Sequence, residues 1–237
     1  HAMDKDHNAD LPILEAVAIL NSYGLEVVSG IILGLDTDTA ETPSRILDFI
    51  ERSQIPMLTV NLLQALPKTP LWDRLAAAGR LIDDPERESN VDFLLPYEQV
   101  VAGWRRVVAA TYRPEAIYRR FAYNVAHTYP NRIRLGADSA RASFANMRKG
   151  ARIVANLLWR AGIAGNYRRS FWSMALPLLR SGRIEDMIHV GLVAHHLITF
   201  AQDAVAGRQN ASFYSTKLRG TEAKEEKTRL TTEAVRQ

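Results

Sequence analysis

The run Ser29-Gly30-Ile31-Ile32-Leu33-Gly34-Leu35-Asp36-Thr37-Asp38-Thr39 does most to restrict how this chain can fold. It reads as a buried strand that stops at a glycine and turns into a helix. A second apolar run, Met57 to Leu63, comes after a helical interval and ends in Gln64-Ala65-Leu66-Pro67-Lys68-Thr69-Pro70-Leu71. Continuous apolar runs of this kind belong to parallel sheets, and the helix between them supplies the right-handed crossover that parallel pairing needs. Parallel strands release their loops at one edge, which is where βα proteins bind ligands. Two strands alone leave edges and one face uncovered, so the sheet is expected to be a piece of a larger α/β sheet or barrel.

Local signals place the flanking helices. Leu11 to Tyr23 reads as a helix that ends at Gly24, and Thr39 to Ser53 as a second, with Ile46, Leu47, Phe49 and Ile50 apolar against Glu41, Arg45, Asp48 and Arg52. Thr69 is placed to cap a third helix, with Pro70 in its first turn and Gly79 at its end. Beyond an acidic connector, Asp83 to Asp92, the periodicity becomes helical throughout. Val100, Val101, Trp104, Val107 and Val108 form an i, i+1, i+4, i+7, i+8 stripe. Pro114 opens the next helix, with Ile117, Phe121 and Val125 expected inward and Arg119 and Arg120 outward. Further helices are expected over 139–160, 167–180 and 184–206. The predicted fold is therefore an α/β fragment with two parallel strands followed by an all-α helical domain. Its expected divisions are a tag remnant and linker at 1–10, the α/β part at 11–95, a basic helical domain at 96–219 and a polar, unpacked tail at 220–237.

Charge follows the same division. Residues 1–100 carry 7 Lys and Arg against 17 Asp and Glu, a balance of −10, whereas residues 101–219 carry 19 against 5, a balance of +14. Opposite fields of this size fit mutual docking of the two parts, an anionic membrane surface or, last, nucleic acid. The patch Tyr167-Arg168-Arg169-Ser170-Phe171-Trp172 leaves the same choice open: rings at a membrane interface, rings stacked on bases, or ordinary inward packing of Phe171 and Trp172. No run is long and apolar enough for a bilayer span, and a cytoplasmic location, with contact to the inner membrane face, is the expectation.

The chain has no cysteine, which excludes disulfides and thiolate metal sites within it. His195 and His196 are adjacent, and His189 lies two turns from His196, so no two share a chelating face. No catalytic residue and no metal ligand is expected. Gly30 and Gly34 either admit a flat ligand against the backbone or serve packing and the turn. Asp36 and Asp38 either accept a ligand hydroxyl or ammonium or cap the helix that follows. Asn61 and Gln64, the amides at the end of the second strand, either contact a ligand or tie down loops.

Gly30, Ile32, Gly34, Asp36 and Asp38, with Leu66, Pro67, Thr69, Pro70 and Leu71, resemble the fifth and sixth strand ends of cobalamin-dependent radical S-adenosylmethionine enzymes. In that family the strands run into Gly-x-Ile-x-Gly-x-Asp-x-Asp and Leu-Pro-x-Thr-Pro-Leu. The helical part is similar to the domain of unknown function that follows the barrel in one subgroup, through Arg106 to Tyr112, Pro114, Tyr118 and the 166–172 patch. Hopanoid methylases of the C-2 type are the members to compare first. The resemblance implies a methyltransferase acting on an unactivated carbon of a polycyclic lipid, with S-adenosylmethionine, a 4Fe–4S cluster and cobalamin as cofactors of the full-length enzyme. It implies that Gly30, Ile32, Gly34, Asp36, Asp38, Asn61, Gln64, Ala65, Leu66 and Pro67 line part of the nucleoside pocket. Such a cluster needs thiolates, so this cysteine-free chain is expected to be an inactive C-terminal portion. Its expected partners are the missing cobalamin- and cluster-binding regions and the lipid substrate. The alternative is a non-enzymatic helical adaptor on an anionic surface.

Overall fold

The computed structural model describes residues 12–84, 86–133 and 144–206. Of the sequence-based expectations, the linker at 1–10, the start of a helix at 139–143 and the tail at 220–237 lie outside the described residues. In chain order the elements are α1 (Ile13–Ser22), β1 (Val28–Leu33), α2 (Thr42–Ser53), β2 (Met57–Leu62), α3 (Pro70–Ala77), α4 (Tyr97–Thr111), α5 (Pro114–His127), α6 (Phe144–Leu157), α7 (Arg168–Arg180) and α8 (Ile184–Val205). A 3₁₀ turn, Tyr129–Asn131, follows α5, and a π-helical segment, Leu158–Ala164, continues α6.

β1 and β2 form one two-stranded parallel sheet with α2 as the crossover, and mostly helical structure follows, as the sequence predicts. Side chains alternate across the strands. In β2, Leu58, Val60 and Leu62 are buried while Thr59 is exposed; in β1, Leu33 is buried while Gly30 and Ile32 are exposed.

The chain divides into two compact units that do not follow sequence order. One takes the described residues of 1–29, 47–58 and 110–201, the other those of 30–46, 59–109 and 202–237. In the first, α5 packs on α1 and α7. Ile117, Phe121, Phe171 and Val190 are fully buried there, and the Tyr112 hydroxyl donates to the Leu58 carbonyl. In the second, the apolar stripe predicted for α4 turns inward. Trp104 is fully buried and its Nε1–H donates to the Val60 carbonyl at 2.9 Å, so the indole carries no unmet donor.

Three local readings change. α2 begins at Thr42, because Thr39 and Thr42 build a capping turn ahead of it: the Thr39 N–H donates to Thr42 Oγ1 at 2.9 Å. The helix expected over 139–160 passes into the π-helical segment at Leu158. Arg120, expected outward, is fully buried, and its Nη2 donates to the Thr111 carbonyl at 2.6 Å, closing the elbow between α4 and α5. Burial pushes its guanidinium down to about 10. Arg119 does face out and pairs with Glu51 at 2.5 Å.

Candidate functional site

The parallel register brings the two strand ends to one edge: the Leu63 N–H donates to the Leu33 carbonyl at 2.7 Å. Gly34 turns the chain away from β1 with φ +95°, a left-handed conformation that glycine adopts without strain. A Cβ there would lie 2.4 Å from Cε1 of Phe93, so the position has no room for a side chain. Asp38 Oδ2 accepts from the Gly34 N–H at 2.7 Å and the Leu35 N–H at 3.1 Å. Its carboxylate therefore fastens the turn. Asp36 is committed as well: Arg80 Nη2 donates to its Oδ1 at 2.8 Å, with Arg74 at 3.7 Å. The Arg80 hydrogen bond, against a smaller effect of burial, holds the Asp36 carboxyl below the usual carboxylate range.

The loop after β2 is likewise tied down from within. Ala65 is buried, and the Asn90 side chain takes both of its backbone groups, accepting from the N–H at 2.9 Å and donating to the carbonyl at 2.8 Å. Ser89 Oγ donates to the Leu63 carbonyl at 2.6 Å, and Gln64 Nε2 donates to the Glu88 carbonyl at 2.6 Å. An asparagine amide presents a donor and an acceptor side by side, so it completes a strand end as a backbone peptide would. Downstream, Thr69 Oγ1 donates to the Leu66 carbonyl at 2.7 Å and accepts from the Trp72 N–H, capping α3 as predicted. Pro67 is exposed. Sequence reasoning missed Ser89 and Asn90, which lie in the stretch taken as an acidic connector. The available signal was an uncharged Ser-Asn pair before Val91 inside that acidic run.

What remains open is the sheet face. Gly30 and Thr59 are neighbours on it, a Cβ at Gly30 lying 3.4 Å from Thr59 Oγ1, and the same register sets Ile32 beside Asn61. Ile32 is 44% exposed. Among the described residues the Asn61 amide has no hydrogen-bonded partner. The structure thus separates the predicted site residues. Gly30, Ile32 and Asn61 share an uncovered face, whereas Gly34, Asp36, Asp38, Gln64 and Ala65 serve the turns at its rim. On the helical side of the same unit, a cavity of about 320 Å³ is lined by Leu33, Asp38, Thr39, Pro43, Gln99 and Arg106.

Chemically, the open face offers apolar surface, a glycine gap and one free amide, which suits a flat heterocycle and supplies no acid or base. A cluster held by thiolates finds no ligand in a chain without cysteine. Among the described residues no three His, Asp or Glu converge as a metal site. His195 is hydrogen-bonded to the Tyr167 hydroxyl. His189 Nε2 sits 3.1 Å from Glu26, which also takes Arg132 at 2.9 Å and the Tyr129 hydroxyl at 2.5 Å. Burial pushes the Glu26 carboxyl up, but His189, Tyr129 and Arg132 together outweigh it, and the net direction is down.

Residues 69–210 match the family model described as a domain of unknown function (DUF4070). The chain is 56% identical over 218 residues, 92% of its length, to the hopanoid C-2 methylase of Rhodopseudomonas palustris (strain TIE-1). It is 28% identical over 200 residues to an uncharacterized methyltransferase of Synechocystis sp.. It spans 41% and 36% of the lengths of these two relatives. No solved structure matches the chain.

Proposed function

From the premise that this chain belongs to the DUF4070 family, we propose that it is the C-terminal part of a hopanoid-type methyltransferase of the cobalamin-dependent radical S-adenosylmethionine class. The observation that carries the reading is the 56% identity to a hopanoid C-2 methylase across 92% of the chain. The open sheet face supports it, since Gly30, Ile32 and Asn61 stand where a barrel would close over a nucleoside. When bound to the full-length protein, the three cofactors would supply hydrogen abstraction from an unactivated carbon of a polycyclic lipid, and the methyl group. The cluster's thiolates come from residues outside this chain. This chain's own part is to bind and orient. Gly30 admits the ring edge, Ile32 packs on it, Asn61 pairs with a ring nitrogen or exocyclic amine, and the clamped loops at Gly34 and Ala65 hold the rim still.

The test uses the full-length protein and the two glycines. Gly34 is a poor probe, because any side chain meets Phe93 and the φ of +95° strains it. Gly30→Val is a clean one: the site has ordinary contact distance to Thr59, and a β-branched residue suits a strand. We expect Gly30→Val to weaken S-adenosylmethionine binding more than tenfold while thermal stability and the iron content of the cluster are kept. Unchanged affinity would remove the face from the nucleoside site. Absence of labelled-methyl transfer from S-adenosylmethionine to hopanoids by the wild-type protein would remove the reaction.

A further inference from the structure

Helix α6 buries little surface over its described side chains, 148–157. From Arg148 to Asn156 every side chain is exposed except a half-buried Val154, and burial resumes only at Leu157. Among the described residues the element it meets most is the π-helical segment that continues it, and at its end Leu157 lies against Gly191 of α8. Isolated helices of this length are marginal in water, where helical stability comes chiefly from packing one face. Here that face is only partly covered: Ala151, exposed, and Val154 and Leu158, half-buried, recur at i, i+3, i+7, and Arg148, Arg152 and Asn156, all exposed, line another side.

The π-helical segment extends the exposed surface. Trp159 is 62% exposed and Ile163 57% exposed. The exposure is built in. Gly162 packs so closely that a Cβ would lie 3.0 Å from Trp172, and the Trp172 indole N–H donates to the Gly162 carbonyl at 2.9 Å. Trp172 is thereby drawn onto the segment and Phe171 is fully buried, while Trp159 is left in solvent. The aromatic patch at 167–172 thus packs inward, one of the arrangements its sequence left open, and the exposed aromatic lies eight residues earlier.

Charge identifies the occupant. From Ser139 to Ile184 there is no Asp or Glu, against nine Lys and Arg. The structure leaves Arg148, Lys149, Arg152, Arg160, Arg168 and Arg169 exposed. An exposed basic helix that alternates with apolar residues and ends in an exposed tryptophan is the pattern of a helix lying in a lipid headgroup layer. Its rings and aliphatic side chains enter the acyl boundary and its cations meet lipid phosphates. No helix among the described residues is long and apolar enough to cross a membrane, so the contact is in-plane. We propose that α6 and the π-helical segment that follows it dock this protein on an anionic bilayer surface, with Trp159 and Ile163 as the inserted residues. The proposal does not depend on the methyl-transfer reading.

Co-sedimentation of the 237-residue chain with vesicles of phosphatidylcholine alone, or of an equal phosphatidylglycerol–phosphatidylcholine mixture, tests it. Binding should be confined to the anionic vesicles and fall as salt is raised. Each basic residue at such a surface is worth about fivefold in affinity. The triple variant Arg148→Gln, Lys149→Gln, Arg152→Gln should therefore bind on the order of a hundredfold more weakly, with its circular dichroism unchanged. Brominated lipid should quench fluorescence in the wild type, and Trp159→Phe should lose most of that quenching while still sedimenting with the vesicles. The proposal fails if both vesicle types bind equally or neither binds. It fails if the triple variant binds like the wild type, or if quenching survives Trp159→Phe. Sedimentation showing a dimer that Trp159→Ser abolishes, or oligonucleotide binding without vesicle binding, would assign the surface to a second copy or to nucleic acid instead.

Discussion

Asn90 shows how much of the strand-end rim rests on a single side chain. Its amide satisfies both backbone groups of buried Ala65, and an unpaired buried backbone group costs about 1–3 kcal/mol. Asn90→Ala should therefore lower unfolding free energy by about 2–4 kcal/mol in urea titration, with some allowance for water entering the gap. A neutral outcome would mean that the 88–91 segment is not what holds the loop. The Glu26 cluster makes a pH-dependent contribution. The carboxyl is held below its ordinary value of 4.5 in the folded state, so its stabilisation is fully present above that value and is lost as pH falls through the folded value. Glu26→Gln should cost about 1–3 kcal/mol at pH 7, because Arg132 loses its partner. That gap should narrow below pH 4.5 and then close; a gap that is independent of pH would exclude the ion pairs as its source. Neither residue's role was legible in the sequence. Asn90 lies 25 positions from Ala65 and Glu26 lies 163 from His189, and no local pattern announces partners met through space. Gly34 was legible as a turn, since that depends on its own backbone.

At the scale of elements, the sequence carried most of what forms. Both strands, the Thr69 cap of α3, the inward stripe of α4 and the proline start of α5 depend on neighbours in the chain, and the structure holds them within a residue or two of the predicted limits. Two features escaped because tertiary contacts overrode the pattern. Arg120 looks like a solvated residue beside Arg119, yet it turns in to meet the carbonyl that ends α4. The π-helical segment depends on Trp172 accepting the approach of Gly162, ten positions away. A methyl group at Gly162 would press on both Trp172 at 3.0 Å and Phe171 at 3.2 Å. Gly162→Ala should thus destabilise by about 1–3 kcal/mol, as overpacking does. Trp172→Phe, which removes one hydrogen bond, should cost about 1 kcal/mol beyond the smaller ring's lost burial. Thermal unfolding of the two variants checks the order, and an Ala variant as stable as wild type would show that the segment can relax to an ordinary α-helix.

At the scale of the whole molecule, the sheet decides what kind of object this is. A two-stranded sheet with one face open is not a self-sufficient layer, since sheets bury an apolar face against a second layer. One face meets that need through Leu33, Leu58, Val60 and Leu62, while Gly30, Ile32 and Thr59 remain exposed. The chain spans 41% of the length of its hopanoid C-2 methylase relative, and under the reading proposed above the full-length protein covers that face with residues outside this stretch. Thr59 gives a way to observe the covering. It is exposed, it projects from the middle of β2, and the chain contains no cysteine to compete with a label. Thr59→Cys should react with a maleimide in the 237-residue chain at nearly the rate of a free thiol. In the full-length protein, followed on the same peptide by mass spectrometry, reaction should slow more than tenfold, and S-adenosylmethionine should slow it further. Equal rates in the two proteins would mean that no further layer closes over the face, and the nucleoside site would then have to be sought elsewhere. Protection by the longer chain without a ligand effect would keep the barrel and remove Gly30, Ile32 and Asn61 from the pocket.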